Sequence, residues 1–152
     1  MLYIERKYII DTNVAATLSR ATMKTKIFTE KCFLPEEILY ELKDNKIVGH
    51  DILYKQNLPT TLEILNKLQS IVMHKAEKVI DLYNNEGNGD VMIVATILAE
   101  RDKELGQMLL TEWVIVTEDK GLTKLASEFD IRTIGKKEFH SIFNNTEEKK
   151  TG

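Results

Sequence analysis

The stretch YIIDTNV, residues 8–14, joins a short apolar run directly to a carboxylate. Tyr8, Ile9 and Ile10 are residues that favour buried β-strands. Asp11 follows at once, and the small polar residues Thr12 and Asn13 come before an apolar pattern resumes. This order predicts a strand that ends at residue 10 and an acid that lies just beyond its end.

The rest of the chain repeats this alternation of short strands and longer helical segments. Further apolar runs are CFL (32–34), WVIVT (113–117) and IRTI (131–134). Helical periodicity is seen in the segments at 14–20, 35–45, 60–69, 76–85, 89–105, 120–129 and 136–143. Unalternating strands separated by helices are typical of a parallel sheet covered on both faces. We therefore expect an α/β three-layer sandwich, with a short parallel central sheet flanked by helices and a helical excursion between the second and third strands.

Composition predicts one domain without a membrane span. The chain has 152 residues, of which 43% are hydrophobic and 30% charged, which suits a single core over residues 1–143 with a flexible polar tail at 144–152. No apolar run approaches the roughly 20 residues of a membrane helix. Cys32 is the single cysteine, so we expect no internal disulfide and a cytoplasmic protein. The net charge of −3 means that nucleic acid would have to bind at local basic patches.

Four acids occupy positions where an α/β fold places its chemistry. Ligands of open parallel sheets bind beyond the carboxyl ends of the strands. Asp11 follows the first strand and Asp119 the third, so the two would face each other if these strands are neighbours. Glu41 falls at the border of the buried face of its helix, and Asp90 starts a helix and shares its apolar stripe.

Each acid also has an ordinary structural interpretation. Asp11 and Asp90 would serve as helix N-caps, Glu41 as a surface acid paired with a lysine, and Asp119 as a turn residue. As a set, however, four carboxylates at one place would repel each other unless some took up protons or bound a cation. Mg²⁺ or Mn²⁺ prefers such hard oxygen ligands. The set therefore predicts metal-dependent hydrolysis of a phosphodiester, which is nuclease chemistry.

Together, four stretches resemble the PIN-domain nucleases: IIDTNV (9–14), LPEEILYELKD (34–44), GDVMIVATILAE (89–100) and VIVTEDKGL (114–122). The resemblance spans about residues 8–135. It implies that Asp11, Glu41, Asp90 and Asp119 are the catalytic, metal-binding acids, and that Asn13 and Thr117 are auxiliary polar residues. It also implies cleavage of RNA, often by dimers. Many relatives are toxins with an antitoxin partner, whereas others process ribosomal RNA.

Basic and aromatic residues give weaker indications. Lys120, Lys124 and Arg20 flank the expected opening of the site and would hold phosphates, although solvated helix faces explain them almost as well. Tyr40, Tyr54 and Tyr83, at helical positions, are interpreted as core or rim residues rather than platforms for bases. The helical excursion carries more apolar surface than four short strands can cover, which predicts a homodimer.

Two further functions stay open alternatives. A phosphatase with Asp11 as nucleophile would require a second aspartate two residues later, where this chain has Asn13. A catalytically silent PIN-fold interaction module would have no reason to keep all four acids and no need for a metal ion.

Overall fold

The computed structural model of the protein describes residues 3–44, 50–74 and 89–151. For residues 3, 44, 50, 74, 89, 90 and 145–151 it describes the backbone alone. The predicted helix at 76–85 lies outside the described residues. Within the described part of the chain, no helix is long and apolar enough to cross a membrane.

A parallel sheet forms the centre of the molecule. Its strands are β1 (Tyr3–Ile10), β2 (Cys32–Pro35), β3 (Asn57–Leu58), β4 (Leu109–Val116) and β5 (Arg132–Ile134). Their spatial order is β3-β2-β1-β4-β5, and every described pairing is parallel. The carboxyl ends of all these strands therefore lie along the same edge of the sheet, which confirms the predicted α/β class.

The register of the central pair sets the geometry of that edge. Ile10 of β1 lies opposite Val116 of β4, and both are fully buried. Two backbone hydrogen bonds continue the ladders one residue further: Asp11 N donates to Val116 O at 3.0 Å, and Thr117 N donates to Ile134 O at 3.0 Å. The residues that follow β1 and β4 are consequently held side by side by the core.

Helices flank the sheet and connect its strands. They are α1 (Thr12–Ala15), α2 (Arg20–Met23), α3 (Lys26–Lys31), α4 (Glu36–Asp44), α5 (His50–Leu53), α6 (Leu62–His74), α7 (Gly89–Lys103), α8 (Lys120–Glu128) and α9 (Lys136–Thr151), with a 3₁₀ turn at Tyr54–Gln56. α6 packs on α7, and α7 in turn contacts β2, β4 and α4. The backbone of α9 is helical as far as Thr151, and the flexibility expected for 144–152 stays a prediction.

The predicted secondary structure differs from the structure in several places. α3 and α5 were not predicted, and β1 and β4 begin at Tyr3 and Leu109, earlier than the predicted residues 8 and 113. The helix expected at 14–20 is replaced by two short helices, because the Ser19 hydroxyl accepts a hydrogen bond from Thr22 N at 3.1 Å and starts α2. The strand β3 was missed, because two residues are too few to show a periodicity. β3 nevertheless pairs with the end of β2, with Asn57 opposite Leu34, and widens the sheet at the carboxyl ends of its strands.

Candidate active site

Asp11 is a buried carboxylate at the carboxyl end of the central strand. Its side chain is only 5% exposed, and both carboxylate oxygens accept hydrogen bonds. Oδ1 accepts from Thr12 N at 2.7 Å, which caps α1, and Oδ2 accepts from the Thr117 hydroxyl at 2.7 Å. Asp11 therefore does cap a helix, but a burial this deep is unusual for a cap alone.

Thr117 connects Asp11 to Asp119. The Thr117 hydroxyl donates to Asp11 and accepts a hydrogen bond from Asp119 N at 3.0 Å. The Asp119 side chain accepts from Leu122 N at 2.9 Å and caps α8. These bonds hold the loop after β4 against the loop after β1, so the two aspartates interact electrostatically.

Glu41 reaches the same place from α4. The Thr12 hydroxyl donates to Glu41 Oε2 at 2.8 Å, while Thr12 N binds Asp11. Thr12 thus joins two of the predicted acids, a role that sequence reasoning missed. The signal was present, because Thr12 follows the acid directly, but the contact between α1 and α4 that gives Thr12 its second partner is tertiary.

The environment of these acids resists ionisation. Burial raises the pKa of Asp11 above its ordinary value, the charge of Asp119 adds to the effect, and the hydrogen bonds from Thr117 and Thr12 only partly oppose it. Burial likewise raises the pKa of Glu41, and the charges of Glu37 and Asp11 raise it further, against the hydrogen bond from Thr12. The structure therefore brings Asp11, Glu41 and Asp119 into one electrostatically coupled group.

The remaining predicted residues are placed as follows. Asp90 is the second residue of α7, and its side chain lies outside the described residues. Asn13 lies on α1 with an exposed side chain, and no hydrogen bond among the described residues joins it to the acids. Lys120 and Lys124 are exposed on α8, directly after Asp119 and one turn further on.

Two charged residues near this edge have structural partners instead. Arg20 lies 3.4 Å from Asp51 in an exposed ion pair. Glu118, which adjoins Asp119, points away from the acids, and its carboxylate accepts a hydrogen bond from Lys136 N at 2.7 Å. The Glu118 carboxylate is therefore engaged at the start of α9 and is not counted among the acids of the site.

The side chains of this site offer the type of ligand atom that a divalent cation prefers. Carboxylate oxygens are the ligands that Mg²⁺ and Mn²⁺ prefer. The pKa values of Asp11 and Glu41 are raised mainly by burial and further by neighbouring acids, and a bound cation would favour the ionised forms of both. Among the residues whose side chains are described, no three acids, histidines or cysteines lie close enough to hold one ion. As positioned here, the side chains of Asp11, Glu41 and Asp119 are therefore not close enough together to hold one ion, and a metal site formed by these three with Asp90 stays a prediction.

Comparisons with known proteins concern the fold. No protein-family model matches the sequence, and no curated protein matches it. The structure is similar to the crystal structure of FitAcB from Neisseria gonorrhoeae, with a TM-score of 0.53 and 14% sequence identity, over 85% of this chain and 97% of the other. At this identity the likeness shows the fold, an all-parallel sheet flanked by helices, which is consistent with the PIN-like architecture expected from the sequence.

Proposed function

We propose that the protein is a divalent-metal-dependent endoribonuclease that hydrolyses RNA phosphodiester bonds. The observation that carries this proposal is the burial of Asp11 at the end of the central strand, where it is coupled to Asp119 and Glu41 from two other elements. A carboxylate that only capped a four-residue helix would gain nothing from a site that raises its pKa.

Asp11, Glu41, Asp90 and Asp119 are the residues that would hold Mg²⁺ or Mn²⁺. Such an ion polarises phosphoryl oxygens and makes water a stronger nucleophile near neutral pH. Thr117 and Thr12 are positioning residues, because their hydroxyls fix the carboxylates of Asp11 and Glu41. Cys32, the single cysteine of the chain, is not available as a nucleophile, because it is buried in the core and its thiol has a strongly raised pKa.

The substrate would approach from the solvent side of α8. Lys120 and Lys124 are exposed there and supply positive charge next to the acids, where they would bind phosphates flanking the scissile bond. Arg20 contributes only if its exposed ion pair with Asp51 opens. Such a local basic patch fits a chain whose net charge is −3.

The cleavage assay uses a fluorescent single-stranded RNA with wild-type protein and Asp11→Asn. We expect cleavage in Mn²⁺ or Mg²⁺, none in excess EDTA, recovery when Mn²⁺ is restored, and a loss of several orders of magnitude in the variant. Glu118→Gln is a matched control beside Asp119 and should cleave at the wild-type rate. Full cleavage in EDTA, or by Asp11→Asn, would refute the proposal.

The resemblance to PIN-domain nucleases supports a toxin with an antitoxin protein as its partner. Expression in bacteria should then arrest growth, whereas Asp11→Asn should not. Processing of ribosomal RNA would instead leave growth unaffected and shorten a defined precursor, which RNA mapping would detect.

A homodimer fits the exposed apolar side chains of α6. Leu62, Leu65 and Met73 are 69%, 47% and 75% exposed, and they lie on the side of α6 that solvent reaches, while Ile64 and Ile71 are buried. Apolar side chains grouped on one exposed helix face are typical of a partner surface.

A further inference from the structure

Two helices begin at the edge of the sheet where the acids lie. α8 begins at Lys120, directly after Asp119, and α9 begins at Lys136, two residues after β5 ends at Ile134. α8 follows β4 and α9 follows β5, and these strands are parallel neighbours. The starts of both helices therefore lie at the carboxyl edge of the sheet, on the same side as Asp11.

Two hydrogen bonds show how near the start of α9 lies to Asp119. Thr117 N donates to Ile134 O at 3.0 Å, and the Glu118 carboxylate accepts from Lys136 N at 2.7 Å. The segments that leave β4 and β5 thus run side by side for two residues beyond the strands. The first residue of α9 is consequently in direct contact with the residue next to Asp119.

α9 opens with a pair of lysines, Lys136 and Lys137. Lys137 is exposed and Lys136 is half-buried. Neither forms an ion pair with any acid whose side chain the structure describes. The next acid of the helix, Glu138, lies 3.6 Å from Arg132 instead, and Glu118 offsets at most one of the two charges. The start of α9 therefore presents positive charge that the fold itself does not use.

The geometry of the helix directs this charge towards the carboxyl edge of the sheet. Side chains of an α-helix tilt towards its N-terminus, so lysines of the first turn extend towards the edge at which the helix begins. Relative to the buried Phe139, Lys136 falls about 60° and Lys137 about 160° around the helix. Lys136 therefore borders the core, whereas Lys137 faces solvent, in agreement with their exposures.

The distance from the acids matches a short length of an RNA strand. β5 is separated from β1 by β4 alone. At about 4.8 Å between neighbouring strands, the ends of β1 and β5 lie roughly 10 Å apart across the sheet. At about 3.4 Å along the axis for each nucleotide of a helical strand, roughly three nucleotides cover this distance.

We infer that Lys136 and Lys137 bind phosphates of the RNA substrate, roughly three nucleotides from the phosphate that is cleaved at Asp11. The RNA strand then crosses the carboxyl edge of the sheet from β1 over β4 to β5. Contacts to phosphates position a strand without reading its bases, so this site selects for the length of the RNA and not for its sequence. The inference rests on the proposed ribonuclease function and adds a binding site beyond Lys120 and Lys124.

The test compares the double variant Lys136→Gln/Lys137→Gln with wild-type protein in steady-state cleavage of a short unstructured RNA. Each lost phosphate contact should reduce the slope of log KM against log salt concentration by about 0.7, which raises KM about 5-fold near 0.1 M salt. We expect kcat to be retained, because these contacts hold the substrate and its transition state equally.

The double variant Lys31→Gln/Lys103→Gln is the matched control. It removes the same charge from the opposite edge of the sheet, since Lys31 directly precedes β2 and Lys103 ends α7 ahead of β4. It should keep the wild-type KM and the wild-type salt dependence. An equal rise in KM for both double variants would mean that net charge alone matters, and would overturn the inference.

A set of RNAs that each carry one uncharged methylphosphonate locates the contact. Wild-type KM should rise when the change lies a few nucleotides from the cleaved bond, on one side of it only, and Lys136→Gln/Lys137→Gln should show no rise there. The inference is overturned if wild-type protein cleaves RNA but this variant keeps its KM and its salt dependence. A wild-type protein that neither binds nor cleaves RNA would instead refute the proposed function itself.

Discussion

Replacement of Thr117 by valine tests the arrangement of the acids through protein stability. Thr117 is 4% exposed, and valine has nearly the same shape but no hydroxyl. The change removes the hydrogen bond to Asp11 Oδ2 at 2.7 Å and the one from Asp119 N at 3.0 Å. It leaves a buried carboxylate oxygen and a backbone N–H without these partners.

The expected magnitude follows from these two contacts. A hydrogen bond to a charged group contributes about 1.5–3 kcal/mol, and a neutral one about 0.5–1.5 kcal/mol. Their loss should lower the free energy of unfolding by roughly 2–4 kcal/mol at pH 7. The loss should be smaller in acid, because a protonated Asp11 no longer accepts a charge-assisted bond and its pKa is already raised.

Urea denaturation at pH 7 and pH 4 measures both effects. Thr96→Val is the matched control, since Thr96 is 1% exposed and its hydroxyl donates only to Met92 O within α7, at 2.7 Å. We expect Thr96→Val to lower the free energy of unfolding by less than about 1 kcal/mol at either pH. Equal destabilisation by the two variants, or no pH dependence for Thr117→Val, would refute the coupling of Thr117 to Asp11.

Three further predictions concern stability and assembly. Asp11→Asn should raise the free energy of unfolding relative to wild type at pH 7, since the raised pKa means that the folded state penalises the ionised form. The gain in the free energy of unfolding should be fully present at pH values above the pKa of Asp11 in the folded state, and it should disappear as the pH falls through that pKa towards the ordinary value of 3.8. A gain that does not depend on pH would show that the raised pKa of Asp11 is not its cause. Gln56→Leu should lower the free energy of unfolding, measured by urea denaturation, by about 2–4 kcal/mol. The reason is that the Gln56 amide donates to the carbonyl oxygens of Phe28, Thr29 and Cys32 at 3.1, 3.0 and 2.6 Å. The control Gln107→Leu, at an exposed position, should change the free energy of unfolding by no more than about 0.5 kcal/mol. Sedimentation should show a wild-type dimer and a monomer for Leu65→Glu, and a monomeric wild type at micromolar concentration would remove the dimer proposal.

The sequence predicted the carboxyl ends of β1 and β4 well, because the pattern that marks the end of each strand is local. The apolar runs at 8–10 and 113–117 predicted two buried strands. Asp11 and Thr117 lie side by side at their ends because these strands, β1 and β4, are neighbours in the sheet. The helical angle of Glu41, about 60° from Ile38, correctly indicated a half-buried side chain.

The parts that escaped prediction depend on contacts between distant segments. The second bond of Thr12 exists only because α1 meets α4, and β3 exists only because two residues pair with the end of β2. The exposure of Tyr40 was available from the same helical geometry, since it stands about 200° from Ile38. The sequence left Tyr40 open as a core or rim residue, and its 66% exposure places it at the rim.

Binding of Mn²⁺ is the measurement that tests the acid site most directly. The electron paramagnetic resonance signal of free Mn²⁺ gives the affinity of wild-type protein, Asp11→Asn, Asp90→Asn and the control Glu118→Gln. We expect wild-type and control protein to bind alike, and each aspartate variant to bind at least about tenfold more weakly. Wild-type affinity in Asp90→Asn, or an equal loss in Glu118→Gln, would contradict the assignment of these acids to one metal site.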